Sequence, residues 1–421
     1  MTQTSTTPSE HGAVIRPSLP RPVAFWLVAV ATATLTAASA APSPLYAVYQ
    51  KEFGFSDITL TVIFAVYVFA LIMSLLTVGR LSDYVGRRVV LAGALLVEAG
   101  SMAVFIAADG VGWLLWARVV QGFATGAAIG VLGAYLLDLQ PGGGSRLGSL
   151  LNSVAPTFGL GLGAIVTGLL VQYAPHPTRL VFVILLALFV VLVLTTTVLP
   201  KTVPRVPGAL AALRPELAVP RRARRAFAGA VPILVSTWAL GGLILSVGGS
   251  LLGAVFGQDN YAVIGLVIGL FPVSAAAAAI GGRDLSPAAM ARTGGAALAA
   301  GTGLFLLALG WSSITLFVVA SIVAGAGFGS GFLGSLRAVS QLAEPHERAA
   351  LLSAVYVVSY LAFSLPALVA GILITHIGIR DTSFGYGGFV ALVAIAALAF
   401  ERSVIGQRRD PPSDNGSRPT R

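Results

Sequence analysis

The 421-residue sequence has no cysteine, two lysines (Lys51 and Lys201) and four histidines, at positions 11, 176, 346 and 376. The missing thiols exclude a disulfide framework. Neither lysine lies in a glycine-rich phosphate loop, which excludes ATP as the direct energy source. The histidines fall in tails, loops or span ends and form no cluster. An intramembrane enzyme, a metal site and a cofactor are therefore not expected. Charge is scarce as well. Charged residues are 10% of the chain, against about 25% in an ordinary soluble domain. Sixteen acids and 26 bases are too few to cover the surface of soluble domains of this total length. Intrinsic disorder is excluded by the opposite excess, since 56% of residues are hydrophobic and the mean hydropathy is +0.89.

What the chain does have is apolar runs long enough to cross a bilayer. They fall near 23–43, 58–79, 89–108, 111–138, 147–172 and 180–199, then near 227–256, 261–281, 293–310, 313–336, 349–376 and 384–401. A lipid-exposed backbone must satisfy its own hydrogen bonds, so each run is expected to be a helix, about twelve in all. Arg16, Arg21 and the later Ala38-Ser39-Ala40 also imitate a signal peptide with its cleavage site. The equally apolar stretch that follows favours a retained first span.

Twelve spans place both tails and every even-to-odd loop on one side. That side holds Arg80, Arg87, Arg88, Arg146, Arg283, Arg292, Arg348 and a cluster from Lys201 and Arg205 through Arg214 to Arg221, Arg222, Arg224 and Arg225. The other side holds Lys51, Arg179 and Arg380. The positive-inside rule makes the rich side, and both termini, cytoplasmic. The basic run 221–225 is thus a solvated loop beside anionic lipid, and no nucleic-acid partner is expected. The excess of arginine over lysine points to a GC-rich genome and a bacterial inner membrane.

The segment 200–226, broken by Pro200, Pro204, Pro207, Pro215 and Pro220, divides the spans into six and six. Gly122 and Gly126 answer Gly325 and Gly329; Leu150-Leu151 answers Leu351-Leu352; Arg146 answers Arg348; Asp83 answers Asp284. The expected fold is an all-α membrane protein of two pseudo-symmetric six-helix bundles. Its expected parts are a tail 1–22, a bundle 23–199, a basic cytoplasmic loop 200–226, a bundle 227–401 and a tail 402–421. A monomer is expected.

The loop after the second span reads Gly79-Arg80-Leu81-Ser82-Asp83-Tyr84-Val85-Gly86-Arg87-Arg88. Gly79 and Gly86 permit tight turns at helix ends, Arg87 and Arg88 pin the loop inside, and Asp83 can pair with an arginine or cap a helix. In sequence and position it resembles the signature loop of the major facilitator superfamily, with Tyr84 where that family usually has a base. The resemblance implies the family's twelve-helix fold and a gating role for Gly79, Asp83, Gly86, Arg87, Arg88 and Asp138, the acid at the foot of the fourth helix. In the family this charge chain latches the outward-facing state. The fourth span adds Arg118-Val119-Val120-Gln121-Gly122, similar to the family's arginine-x-x-glutamine-glycine motif, which is linked there to proton coupling and so implicates Arg118 and Gln121.

Arg118 lies roughly 10 Å below the outer end of its helix. At that depth it should face a partner or water, or else snorkel to the interface. Arg118, Gly122, Gly126 and Gly130 recur every four residues, giving a neighbouring helix a face for close packing. Glu98, about 15 Å into the third span, is the expected partner of Arg118. Burial and a guanidinium act in opposite senses on such a carboxyl, so protonation of Glu98 could release Arg118; a static ion pair is the alternative. The fifth span keeps the glycines of the drug-antiporter branch, Gly163 and Gly168, but has Ala164 where that branch has proline.

For substrate contact the first span offers Thr32, Thr36, Ser39 and Ser43 at helical spacing, hydroxyls that either face a cavity or bond their own helix carbonyls. Asn152, Tyr356 and Tyr360 are further candidates. The first span has no acid, which leaves a neutral, amphipathic or anionic small molecule open. Together these features favour a proton-coupled exporter of small amphipathic molecules, an antiporter of the drug-efflux type. A proton symporter or facilitator that takes up a metabolite is the alternative.

Overall fold

A computed structural model describes residues 18–142, 147–213, 215, 217–344 and 347–409. Arg146, Arg214, His11 and His346, named above, lie outside the described residues. The helices are α1 (Arg21–Ala40), α2 (Pro42–Phe53), α3 (Asp57–Val78), α4 (Leu81–Val85), α5 (Arg87–Ile106), α6 (Val111–Leu139), α7 (Leu147–Tyr173), α8 (Leu180–Thr196), α9 (Ala209–Ala212), α10 (Arg224–Phe256), α11 (Tyr261–Gly281), α12 (Pro287–Trp311), α13 (Ile314–Ser340), α14 (Arg348–Ile377) and α15 (Ile379–Arg409). Among the described residues there is no strand.

Eleven helical segments are long and apolar enough to cross a membrane, and the shorter α8 is the twelfth. At 17 residues α8 spans about 26 Å, slightly under the ~30 Å hydrocarbon thickness. The first span is longer than the expected 23–43, because α1 and α2 form one 33-residue unit, Arg21–Phe53. Pro42 and Pro44 do not end it: they sit in the first turn of α2, where a missing N–H is tolerated. The α1 segment is packed into the core. Phe25 and Leu35 are completely buried in the core, and α1 lies against α6 and α7.

Local chemistry sets the helix ends. Ser56, Ser286 and Ser313 cap α3, α12 and α13 by accepting from backbone N–H groups, and Asn260 caps α11 twice, at 2.9 and 3.2 Å. Exposed Trp113, Trp116 and Trp311 lie at one end of their helices, where an amphipathic ring suits the bilayer interface.

The duplication read from sequence is visible in the packing. In the first half α3 pairs with α6, α5 with α6, α1 with α7 and α5 with α8; in the second, α11 pairs with α13, α12 with α13, α10 with α14 and α12 with α15. The repeated glycines occupy equivalent seams. A Cβ on Gly122 or Gly126 would strike the Tyr67 or Leu71 carbonyl of α3, and one on Gly325 or Gly329 would strike the Phe271 or Ala275 carbonyl of α11. Gly130 does not extend this seam, since its Cβ would find ordinary room, 3.8 Å from the Gly79 carbonyl.

The halves meet along α7–α11 and α3–α14. They are joined at the end away from the basic loops. There Ser250 donates to Gln50 Oε1 (2.9 Å), Tyr261 N–H donates to Gln172 Oε1 (2.8 Å), and Gly168 of α7 meets Gly265 of α11 with no room for a side chain.

Candidate functional site

A polar cluster lies inside the first half, on helices that are otherwise apolar. Arg118 and Glu98 are both buried, at 1% and 0% exposure, so the guanidinium does not snorkel. The expected direct pairing of the two is not what the structure has. Arg118 Nη1 donates to Gln121 Oε1 (2.6 Å), and Gln121 Nε2 donates to Glu98 Oε1 (3.3 Å), so Gln121 stands between the charges. The guanidinium finds acceptors on the first span instead. Nε donates to the Tyr46 hydroxyl (3.0 Å), as does Nη2, and Nη1 also donates to the Ser39 carbonyl (3.0 Å). It lies over the Tyr46 and Tyr67 rings as well, at 5.6 and 5.0 Å from their centroids.

The reason is local to Pro42. Proline has no N–H with which to bond the carbonyl four residues back, which frees the Ala38 carbonyl inside the core. Gln121 Nε2 donates to that carbonyl (3.0 Å). The second Glu98 oxygen accepts from Thr125 Oγ1 (3.4 Å). Sequence reasoning missed Tyr46, Tyr67 and Thr125. Thr125 was findable, because it follows Arg118 and Gln121 at helical spacing on α6; Tyr46 lies beyond two prolines, where periodicity gives no guide.

At the basic end, Arg87 Nε donates to Asp138 Oδ2 (2.5 Å) and Nη1 lies 3.4 Å from Asp83 Oδ1. The backbone carbonyl of Asp138 accepts from Arg21 (2.6 Å). Two members of the signature loop, Asp83 and Arg87, are thus brought together with Asp138 of α6, all within the first half. Of its two glycines only Gly86 has a left-handed backbone, φ +93°. Gly79 is helical, and its lack of a side chain instead spares the Leu75 carbonyl. Arg88 has no ion-pair or side-chain hydrogen-bond partner among the described residues. Tyr84, the departure from the family loop, accepts from Val206 N–H through its carbonyl (2.9 Å), tying the loop to the central segment.

Between the halves lies a cavity of about 110 Å³. Of the sequence candidates, Thr36, Ser39, Ser43, Asn152, Tyr356 and Tyr360 line it. Thr32 does not: it is buried and donates to the Val28 carbonyl (2.8 Å), one turn back on its own helix. Thr36 and Ser39 do both, lining the cavity while bonding carbonyls of α1 (3.0 Å each).

Much of the remaining wall is aromatic, with Phe64, Tyr67, Trp238, Phe271, Phe328, Phe332 and Phe363 among aliphatic residues, and was not foreseen. Trp238 sits among Phe328, Phe332, Tyr360 and Phe363, with ring centroids 5.0 to 5.6 Å away, and its indole N–H is buried without a partner. A signal existed: Trp238 lies within a span, whereas the other four tryptophans lie near span ends. No charged side chain lines the cavity among the described residues. Thr125, which holds Glu98, does line it.

Four glycines of α7 divide between two neighbours. Cβ atoms on Gly159 and Gly163 would strike α1, while those on Gly161 and Gly168 would strike α11 of the other half. Pro156 of the same helix lines the cavity.

Comparison with known proteins agrees with this architecture. A curated relative, an uncharacterized transporter from Rickettsia bellii, is 32% identical over 142 residues, which are 33% of this chain and 34% of that protein. The match therefore spans about a third of the relative's length. Among solved structures, a mutant of the nucleoside transporter NupG aligns with a TM-score of 0.66 at 15% identity, over 90% of this chain and 99% of the other. The human organic anion transporter TETRAN aligns with a TM-score of 0.63 at 16% identity, over 90% of this chain and 100% of the other. The family model described as Major Facilitator Superfamily matches residues 28–308. Two six-helix halves around a central cavity, the signature loop and this match converge: the chain belongs to the major facilitator superfamily of membrane transporters.

Proposed function

We propose that the protein is a proton-coupled exporter of small, uncharged, aromatic or amphipathic molecules, working by alternating access. One observation carries this: a charge-free, aromatic-walled cavity shares Thr125 with the buried carboxylate Glu98. Substrate in the cavity and a proton on Glu98 are then neighbours across one hydroxyl. An ionised Glu98 accepts from Gln121 and Thr125, whereas a protonated one must also place a donor, which rearranges the contacts among Gln121, Arg118 and the first span. The cluster in α5 and α6 is the proton-coupling unit, and Thr36, Ser39, Asn152, Tyr356 and Tyr360, with Trp238, are the substrate contacts.

The concentration of arginine at the loop end supports cytoplasmic termini and a cytoplasmic basic segment 200–226, between bundles 23–199 and 227–401. The halves are joined at the opposite end and also pack at the basic end, where Leu150 and Val154 of α7 meet Ala276, Ala279 and Leu333 of the second half; this conformation is closed to the outside. The loop ions Asp83, Arg87 and Asp138 are the gating residues of this scheme; they pair within the first half here, with the outer end closed, so their pairing is not confined to the outward-facing state. A bacterial inner membrane fits the composition.

Ala164, in place of the antiporter proline, favours a second reading, uptake of a neutral metabolite. A nucleoside, the substrate named for one structural relative, carries a planar aromatic base and no net charge. Purified protein in proteoliposomes, with an imposed pH gradient and a mixed compound panel, separates the two. Export predicts substrate movement against the proton gradient; accumulation of a nutrient along with protons would replace it by uptake. Transport indifferent to the gradient would end both coupled schemes.

A further inference from the structure

At the basic end, away from the cavity and bordering the gate, a groove of about 1340 Å³ opens between the N-terminus of α5, the C-terminus of α8 and the segment that follows it. Its wall carries Arg87, Arg88, Lys201 and Arg205 and no acid. Arg87 is neutralised by Asp138 and Asp83. The other three cations have no ion-pair or side-chain hydrogen-bond partner among the described residues. Thr202 also lines the groove, and its hydroxyl is buried with nothing to bond. The segment is held in place, because Tyr135 donates to the Pro200 carbonyl (3.2 Å) and Val206 N–H donates to the Tyr84 carbonyl (2.9 Å).

Three uncompensated cations and an orphan hydroxyl call for an anion with several acceptor oxygens, such as a phosphate. What surrounds them identifies which kind. The two helices that frame the groove pack against each other. Both carry bare apolar side chains toward the membrane: Val89 and Leu96 on α5, seven residues apart, and Val191 and Leu194 on α8, three apart, all exposed. Each pair lies on one helix face. A soluble phosphate would use the cations alone, whereas a phospholipid would fill both parts, with its headgroup at the helix ends and its chains along the apolar faces.

We propose that this groove is a binding site for an anionic phospholipid, whose phosphate is held by Arg88, Lys201, Arg205 and the Thr202 hydroxyl while its acyl chains lie along α5 and α8. The site is independent of what the cavity carries. Because the same segment is bonded to Tyr84, an occupied groove also braces the signature loop.

The test is native mass spectrometry of the full chain in detergent, titrated with phosphatidylglycerol or with phosphatidylcholine. Each basic residue near an anionic surface contributes about 1 kcal/mol, so three predict a preference for phosphatidylglycerol of about 100-fold. Combining Arg88→Gln, Lys201→Gln and Arg205→Gln should abolish that preference. Combining Arg224→Gln, Arg225→Gln and Arg292→Gln, three exposed arginines of the second half, should leave it. An equal loss in both triple variants would mean diffuse surface charge and overturn the site, as would full preference in the first. Inorganic phosphate, read by thermal shift, should not protect the protein; protection equal to that by phosphatidylglycerol would make it a phosphate site rather than a lipid site. Should the first triple variant fail to fold, Lys201→Gln and Arg205→Gln singly must each reduce the preference, and two unchanged values would refute the proposal.

Discussion

The crossing of α7 and α11 offers a direct way to bias the transport cycle. Gly168 and Gly265 face each other there, one from each half, and a Cβ on Gly168 would stand 2.7 Å from the Gly265 Cα, where ordinary contact begins at 3.4 Å. The blocking atoms are backbone, so no side chain can swing away. The nearest atom is the Tyr261 carbonyl oxygen, at 2.5 Å, so in Gly168→Ala the helices must part by about 0.9 Å wherever this crossing is closed, and overpacking of this kind costs about 1–3 kcal/mol. The gain from replacing a helical glycine, about 1 kcal/mol, applies to open and closed states alike. The differential therefore falls on the state closed at this end, whose population relative to the open one should drop about 5- to 150-fold. The absence of cysteine makes the measurement clean. Spin labels on Glu52→Cys and Asp259→Cys, exposed positions on opposite halves at this end, report the separation by pulsed electron resonance. Gly168→Ala should move the distance distribution toward the longer population. An unchanged or shortened distribution would show that the crossing does not open in the cycle, and the packing argument would fail.

Three other outcomes are expected. Glu98→Gln should remove the pH dependence of transport in proteoliposomes while leaving ligand binding; retained proton coupling would take Glu98 out of the mechanism. Trp238→Phe keeps the aromatic wall but deletes the unpaired N–H. Affinity for an acceptor-bearing aromatic ligand should fall by about 0.5–1.5 kcal/mol, and ligand quenching of tryptophan fluorescence should vanish, whereas persistent quenching would put the ligand elsewhere. Asp138→Asn leaves Arg87 with only the more exposed Asp83 as a charged partner. Thermal unfolding in detergent should show a destabilisation of about 1.5–3 kcal/mol, and an unchanged midpoint would mean that the ion pair adds nothing to this conformation.

Twelve spans, two halves and the family were legible in the chain because a bilayer imposes length and hydropathy on every crossing segment. The signature loop and Arg118 were legible for a related reason, since charge is conspicuous where so little of it exists. Spacing along one helix also served: the four glycines of α6 and α13 mark the same seam in both halves. It failed where an element continued past proline, as α1 does into α2, because a proline in a first turn and a proline that ends a helix read alike.

Partnership was decided only in the tertiary structure. Depth along α5 and α6 brought Glu98 and Arg118 to similar levels, but Pro42, on another helix, left free the carbonyl to which Gln121 turns, and Gln121 came between them. Thr32 and Thr36 share a stripe in sequence, yet only Thr36 reaches the cavity. The aromatic cage of Trp238 draws on α10, α13 and α14, three segments that no periodicity connects. The sequence by itself determined that this protein crosses the membrane, how often, and where its few charges lie. Which of those groups touch, and what kind of cavity they surround, depended on packing between helices far apart in the chain.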